Sequence, residues 1–119
     1  MHNFKELTVW QKGVDFAVAM YKLTNIFPSE EKFGLVSQMR RAAVSIPSNI
    51  SEGTGRRTDK DFNNFLGNAL GSSYEVETEI IISQKLGFLS NEDFAASQSS
   101  LNEIQKMIVG LQKSLNVQF

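Results

Sequence analysis

The sequence predicts an all-α protein: an up-down-up-down antiparallel four-helix bundle that forms one domain over residues 1–119. In four long segments, apolar residues recur at alternating steps of three and four, which is the spacing of one helix face. Short linkers containing proline or glycine separate these segments, and short linkers make consecutive helices antiparallel neighbours. Hydrophobic residues make up 41% of the chain and charged residues 21%, a globular composition that supports one buried core.

The first predicted helix covers residues 7–27 and ends before Pro28, which lacks a backbone donor and restricts Phe27. Its core stripe contains apolar or small residues at steps of four and three: Val9, Gly13, Phe16, Met20, Leu23 and Phe27. A second apolar line, about 100° round the helix, contains Trp10, Val14, Ala17 and Tyr21. Two apolar lines predict that more than one neighbour covers this helix.

The second predicted helix covers residues 31–53, and its core stripe contains Leu35, Met39, Ala42, Ile46 and Ile50. Pro47 lies inside this helix and cannot donate a hydrogen bond to the carbonyl of Ala43. We therefore expect the second helix to be kinked near Pro47, with a kink or a local break close to Ile46.

The third predicted helix begins after Thr58, because Thr58 and Asp61 have the spacing of an N-terminal cap, and it ends at Gly87. Its core stripe contains Phe62, Leu66, Ala69, Ser73, Val76, Ile80 and Ser83. Residues 76–82 also have the β-branched composition of a strand, but the helical period continues through them. The fourth predicted helix begins after Ser90 with a similar cap, and its stripe contains Phe94, Ser97, Leu101, Ile104, Ile108, Leu111 and Leu115.

The face of the third helix opposite its core stripe carries charge only at its ends. It contains Asn63, Asn64, Gly67, Gly71, Tyr74, Thr78, Ile81 and Ile82. A long helix that faces water ordinarily carries Lys and Glu, and each glycine inside a helix costs about 1 kcal/mol relative to alanine. An uncharged monomer surface is the alternative. We predict instead a homo-oligomer interface, with the second line of the first helix as another buried side, formed by Trp10, Tyr21, Asn64, Gly67, Gly71, Tyr74, Thr78, Ile81 and Ile82.

Charge is unevenly distributed along the chain, although the net charge is only -1. Residues 32–60 contain six basic and two acidic side chains, whereas residues 61–103 contain seven acidic and one basic. The local excess of base predicts a nucleic-acid-binding site, with solvation or subunit pairing as the alternative, formed by Arg41, Arg56, Arg57 and Lys60. If the second and third helices turn near residue 56, Arg40 is level with about residue 72, which predicts an intramolecular salt bridge between Arg40 and Glu75.

The residue types that catalysis and metal binding require are scarce. The chain has no cysteine, and its one histidine, His2, lies at a terminus that cannot hold a general base in place. Glu75, Glu77 and Glu79 diverge round their helix and do not converge on a metal. We therefore expect no catalytic residue, no metal and no cofactor. The chain also lacks an apolar run of membrane-spanning length and a signal peptide, so we expect no membrane association and a cytoplasmic location.

Residues 35–55, which read LVSQMRRAAVSIPSNISEGTG, resemble the four-helix-bundle family first noticed within intervening sequences of 23S ribosomal RNA genes. The positions that match this family's pattern are Leu35, Gln38, Arg40, Arg41, Ala42, Ala43, Ser45, Ile46, Pro47, Asn49, Ile50, Glu52 and Gly53, and Ser51 replaces the usual alanine. The opening FKELTVWQ is also similar to the family, as are Gly71, Ser72, Glu75, Glu77 and Thr78.

The resemblance implies a helical bundle that assembles as a ring, commonly a pentamer. A relative, the accessory protein of diversity-generating retroelements, forms a basic pentameric barrel that associates with reverse transcriptase and nucleic acid. The net charge of -1 departs from that basic barrel. We therefore expect a non-enzymatic oligomeric scaffold or adaptor whose partners are further copies of itself and another protein. The alternative is a ring that binds RNA or DNA through its arginine clusters and aids a reverse transcriptase.

Overall fold

The computed structural model describes residues 3–117 and contains four α-helices. Helix α1 covers Thr8–Thr24, α2 covers Leu35–Thr54, α3 covers Asp59–Lys85 and α4 covers Asn91–Ser114. Short 3-10 turns at Phe4–Glu6 and Ser29–Glu31 precede α1 and α2. The predicted all-α class and the four helices are confirmed, and residues 76–82 lie within α3 and do not form a strand. His2 lies outside the described residues.

The helices form a bundle in which α1 packs against α2 and α4, and α3 packs against the same two helices. The most extensive of these contacts joins α2 to α3. Consecutive helices are therefore neighbours and α4 closes the bundle against α1, as an up-down-up-down connection requires. Among the described residues, no helix has the length and apolar character needed to cross a membrane.

The predicted core stripes are buried at nearly every position. The fully or almost fully buried apolar side chains include Met20, Met39, Ala42, Ile46, Ile50, Leu66, Ala69, Val76, Ile80, Leu101, Ile104 and Ile108. Leu23, Leu35, Phe94, Leu111 and Leu115 are half-buried at the ends of the stripes. The period of the apolar residues thus identifies the inner face of each helix.

The predicted caps are formed at both ends of α3 and at the start of α4. The Thr58 hydroxyl accepts a hydrogen bond of 3.1 Å from the amide of Asp61, and the Ser90 hydroxyl accepts one of 3.0 Å from the amide of Asp93. Gly87, with a φ of 80°, adopts the left-handed conformation just beyond α3. A side chain at this φ would be strained, so glycine is the residue that ends α3 here.

Helix α2 continues through Pro47, so the predicted local break near Ile46 is not formed. A kink of the helix axis near Pro47 remains a prediction. The proline ring is buried against α1 at Gly13, where an added Cβ would lie 3.3 Å from the Pro47 Cβ. Beside the proline, the side-chain Nδ2 of Asn49 donates a hydrogen bond of 2.8 Å to the carbonyl of Ser45. Pro47 therefore acts as a packing surface between α1 and α2.

Candidate functional site

The outer face of α3 is open to solvent in the single chain. This face comprises Asn64, Gly67, Gly71, Tyr74, Thr78, Ile81 and Ile82, of which only Ile81 is half-buried. Tyr74 is 51% exposed and Ile82 is 42% exposed. A Cβ added to Gly71 would have no atom within 4 Å, and one added to Gly67 would only approach the Gln112 Nε2 at 3.9 Å. The two glycines therefore leave a shallow channel along the outside of the bundle, with the exposed Glu75 one turn after Gly71.

The second apolar line of α1 is engaged within the chain. Trp10 is half-buried, and the Phe4 ring packs edge-on against it with ring centroids 5.2 Å apart. Tyr21 is exposed, but the Arg40 guanidinium lies 4.6 Å from the centroid of its ring. Both predicted interface residues thus contact neighbouring parts of their own chain.

The predicted salt bridge between Arg40 and Glu75 is wrong. The Arg40 Nε donates to the Thr24 hydroxyl over 2.9 Å, and its Nη2 donates to the Tyr21 carbonyl and to the Asn25 Oδ1. These acceptors lie at the end of α1, where backbone carbonyls lack partners within the helix. Arg40 therefore joins α2 to the C-terminal end of α1.

A register error explains the incorrect pairing. The Ser83 hydroxyl lies 3.4 Å from the Met39 Sδ, so position 39 of α2 is level with position 83 of α3. Arg40 is then level with about position 82 of α3, and Glu75 lies about 10 Å away from that position along the helix, given a rise of about 1.5 Å per residue. The turn itself lies where the sequence predicts it, between Thr54 and Asp59, so the offset arises from the way the two helices pack against each other.

The four basic residues predicted to bind nucleic acid do not form one site. Arg41 lies in the middle of α2, whereas the other three lie at the turn between α2 and α3, about 22 Å away along the helix. In the turn, the Arg56 guanidinium lies 4.5 Å from the Phe65 ring centroid and 3.8 Å from the Glu52 carboxylate. Arg57 and Lys60 are exposed. The structure therefore separates the basic cluster into two parts.

Arg41 lines a groove of about 520 Å³ on the outside of α1 and α2. We name it the aromatic–basic groove; its lining residues are Tyr21, Lys32, Phe33, Val36, Ser37, Arg40, Arg41, Val44 and Ser45. Phe33, which sequence reasoning missed, is 89% exposed in the loop before α2. The available signal was a phenylalanine outside the apolar period, between a lysine and a glycine.

A larger groove of about 670 Å³ lies between α1 and α4. Phe16, Met20 and Ile104 form its apolar floor, and Ile26 at one end is 71% exposed. Lys12 of α1 forms an ion pair with Glu103 of α4 across it. Small residues on facing positions, Ala19 and Ala96, help to leave this space open. We name it the α1–α4 groove; sequence reasoning did not identify it.

The three glutamates of α3 point in different directions. The Glu77 carboxylate accepts hydrogen bonds from Gln105 over 2.9 Å and from Gln98 over 3.5 Å, and both donors belong to α4. Glu75 is exposed, whereas Glu79 is buried with its Oε1 unpartnered. Burial, with a smaller contribution from the charge of Glu75, raises the pKa of Glu79 to about 7. Across residues 3–117, no three His, Cys, Asp or Glu side chains are grouped so that they could hold a metal ion.

Comparison with known proteins identifies the family. The family model described as 23S rRNA-intervening sequence protein matches residues 5–110. A crystal structure from Bacteroides thetaiotaomicron VPI-5482, of a protein with unknown function from the S23 ribosomal protein family, is similar with a TM-score of 0.81 and 26% sequence identity. The alignment covers 90% of this chain and 100% of that one. No curated protein matches the sequence. The chain therefore belongs to the 23S rRNA-intervening sequence protein family.

Proposed function

We propose that the protein is a non-enzymatic scaffold or adaptor that assembles from several copies as a closed ring, with five subunits as the family resemblance implies. The outer face of α3 is the observation that carries this proposal. Tyr74 and Ile82 are 51% and 42% exposed there, and Gly71 has an open position beside them. Two exposed glycines weaken the helix by about 1 kcal/mol each, and contact with a second copy would recover that loss.

A closed ring needs two different surfaces on each copy, because each subunit contacts one neighbour on either side. Trp10 and Tyr21 were the predicted second side, but Phe4 and Arg40 already cover part of each ring. We therefore assign the second side to the α1–α4 groove, where Ile26 is 71% exposed and the small exposed residues Ala19 and Ala96 leave room for a neighbouring copy. No residue of α3 lines the α1–α4 groove, so the two surfaces lie on different sides of the bundle. Each copy could then contact one neighbour through α3 and another through the groove.

Gly71→Glu is expected to dissociate the ring without unfolding the subunit. A second carboxylate in this channel, one turn from Glu75, would be buried against the neighbouring copy without a partner, whereas in the free chain the position is open. Analytical ultracentrifugation at micromolar concentration measures the mass, and far-UV circular dichroism measures the helix content. We expect a mass close to that of one chain and an unchanged helical spectrum.

Gly110→Glu is the matched control, since Gly110 is an exposed glycine on α4 that also has no atom within 4 Å of an added Cβ. This variant should keep the mass of the wild type. A wild-type protein that sediments as a single chain would refute the assembly. If Gly71→Glu leaves a multimer intact, α3 is not part of the interface.

A ring that binds RNA or DNA is the second candidate function, and Arg57 and Lys60 favour it. Both side chains are exposed at the start of α3, and neither belongs to an ion pair within residues 3–117. A helix N-terminus attracts phosphate, and a ring would repeat these two cations in every copy. Association with a reverse transcriptase would follow from the same family resemblance.

Arg57 and Lys60 are both replaced by Ala in one variant, so every copy in the ring lacks them. We expect the affinity of this variant for RNA to be several-fold lower than that of the wild type. Anisotropy of a labelled RNA hairpin, titrated with protein at low and high salt, measures the effect. Binding through phosphates requires a steep fall in affinity as salt increases. Lys106→Ala, an exposed position on α4, is the control and should change nothing. A wild-type protein that leaves the hairpin unbound at low salt would eliminate this second candidate.

A further inference from the structure

The aromatic–basic groove takes no part in the proposed ring contacts. It lies on the outside of α1 and α2, whereas the ring surfaces lie on α3 and between α1 and α4. Its lining comes mainly from α2, with Tyr21 of α1 and the loop residues Lys32 and Phe33 beside it, and an amphipathic helix can lie along an apolar groove of this kind. From Val36 to Val44 the groove follows α2 for about 12 Å, which is more than two helical turns.

Exposed apolar side chains line this groove and lie beside it. Phe33 is 89% exposed, the largest exposed fraction among the large hydrophobic residues described, and Tyr21 and Val44 are 46% and 40% exposed. Val18, three residues before Tyr21 on α1, is also 48% exposed. Full burial of one phenylalanine side chain is worth about 2 kcal/mol or more, so a partner that covers these side chains gains substantial hydrophobic free energy.

The charge of the groove is entirely positive. Its lining contains Lys32, Arg40 and Arg41 and no carboxylate. Hydrogen bonds to Thr24, Tyr21 and Asn25 fix Arg40, whereas the Arg41 side chain is exposed and forms no ion pair within residues 3–117. Lys32 lies 5.5 Å from the Phe33 ring centroid. Two movable cations beside exposed apolar side chains complement a partner with an apolar stripe and an acidic flank.

These features favour a protein segment over a nucleic acid. Stable nucleic-acid binding at physiological salt needs several phosphate contacts, and among the residues that line the groove only Lys32 and Arg41 are cations not held by hydrogen bonds to α1. The segment 61–103 contains seven acidic residues and one basic residue, and its negative charge would repel an extended polyanion. A protein partner with a short acidic flank would contact only the positive charge of the groove itself.

We propose that the aromatic–basic groove is the docking site for an amphipathic helix of a protein partner, which inserts apolar side chains beside Phe33 and Tyr21 and places carboxylates near Lys32 and Arg41. This inference rests on the adaptor role proposed above and names the chemistry of the partner. It does not depend on the number of subunits, because every residue of the groove belongs to one chain.

Two designed peptides test the site. Each is a labelled fourteen-residue helix with Leu at helical steps of three and four; one has Glu and the other Lys beside the Leu stripe. Fluorescence anisotropy with the full-length protein should detect binding of the Glu peptide and much weaker binding of the Lys peptide. Phe33→Ser should lower the affinity for the Glu peptide by about tenfold or more, as expected for the loss of a central aromatic contact. Arg41→Glu should also weaken binding of the Glu peptide, and the remaining binding should depend less on salt, because an attractive charge has been removed.

Leu86→Ser is the matched control, because Leu86 is also an exposed apolar residue, at 56%, but it follows α3 and does not line the groove. It should leave the affinity unchanged. Equal binding of the two peptides, or unchanged binding after Phe33→Ser, would overturn the proposal. Displacement of the Glu peptide by single-stranded oligonucleotide, with tighter binding of the latter, would assign the groove to nucleic acid and also overturn it.

Sedimentation of the same samples separates this proposal from the ring. A single chain that binds the Glu peptide through Phe33 would refute the ring and support the groove. A ring that does not distinguish the peptides would refute the groove alone.

Discussion

Gly53→Ala is expected to lower the free energy of unfolding by about 2 kcal/mol, since a well-packed interface resists even one added methyl group. An added Cβ at this buried position would lie 2.8 Å from the Phe62 Cδ1 and 2.8 Å from the Phe65 Cβ. The Phe65 Cβ is attached to the backbone of α3, so it cannot move away by rotation of a side chain. Helices α2 and α3 would have to separate, and this cost exceeds the gain of about 1 kcal/mol in helix propensity. Urea unfolding followed by circular dichroism measures the change.

Gly55→Ala is the control for this prediction. Gly55 has a φ of -84° and a ψ of -1°, which alanine adopts freely, and its Cβ would lie at an ordinary distance of 3.6 Å from the Glu52 carbonyl oxygen. Replacing glycine at such a position should leave stability unchanged or raise it by about 0.4–1 kcal/mol, because the unfolded chain loses freedom. If both variants unfold at the same urea concentration as the wild type, the helices α2 and α3 do not approach each other at Gly53 closely enough to exclude a methyl group.

Glu79→Gln is expected to stabilise the protein at pH 8 and to have little effect at pH 5. Burial raises the pKa of Glu79 in the folded chain from 4.5 to about 7, so folding favours the protonated carboxyl. The wild type therefore has this contribution in full below pH 4.5 and loses it as the pH rises through 7. Glutamine is neutral throughout and loses nothing. We expect a gain of about 1–2 kcal/mol at pH 8, less than the full linkage value because solvent near the helix surface screens the charge.

Glu75→Gln tests the second cause of the raised pKa. The charge of Glu75 contributes to the shift at Glu79, so its removal should move the pH range of the stability loss to lower pH. Urea unfolding at several pH values measures both variants. A difference between Glu79→Gln and wild type that is the same at pH 5 and pH 8 would contradict the assignment. Glu77→Gln is a useful comparison, because hydrogen bonds from Gln98 and Gln105 already satisfy Glu77.

The inner surface of the bundle could be predicted from the sequence because burial follows the helical period. Leu66, Val76 and Ile108 illustrate this: each lies on a predicted stripe and each is fully buried. The caps at Thr58 and Ser90 are also local features, since they join residues three positions apart. Such features depend on the spacing of residues within one segment, and the sequence contains all of that information.

Relations between segments were harder to predict. The pairing of Arg40 with α1 depends on how far α2 is displaced along α3, and the residues of the turn do not determine this displacement. The exposure of Phe33 depends on a loop that has no periodicity, and the α1–α4 groove depends on the spacing of two helices that are distant in sequence. These properties arise from packing between segments, which no single helical wheel describes.

The contact between Gly13 and Pro47 has a consequence for recognition. A glycine on one helix and an imino acid ring on the other bring α1 and α2 together with little side-chain freedom, and the Arg40 bonds hold the same two helices nearer the groove. Both walls of the docking surface are thus preformed. An incoming partner would lose its own conformational entropy on binding, whereas the loss in this protein would be confined to side chains such as Phe33, Lys32 and Arg41, because the two helices do not need to move.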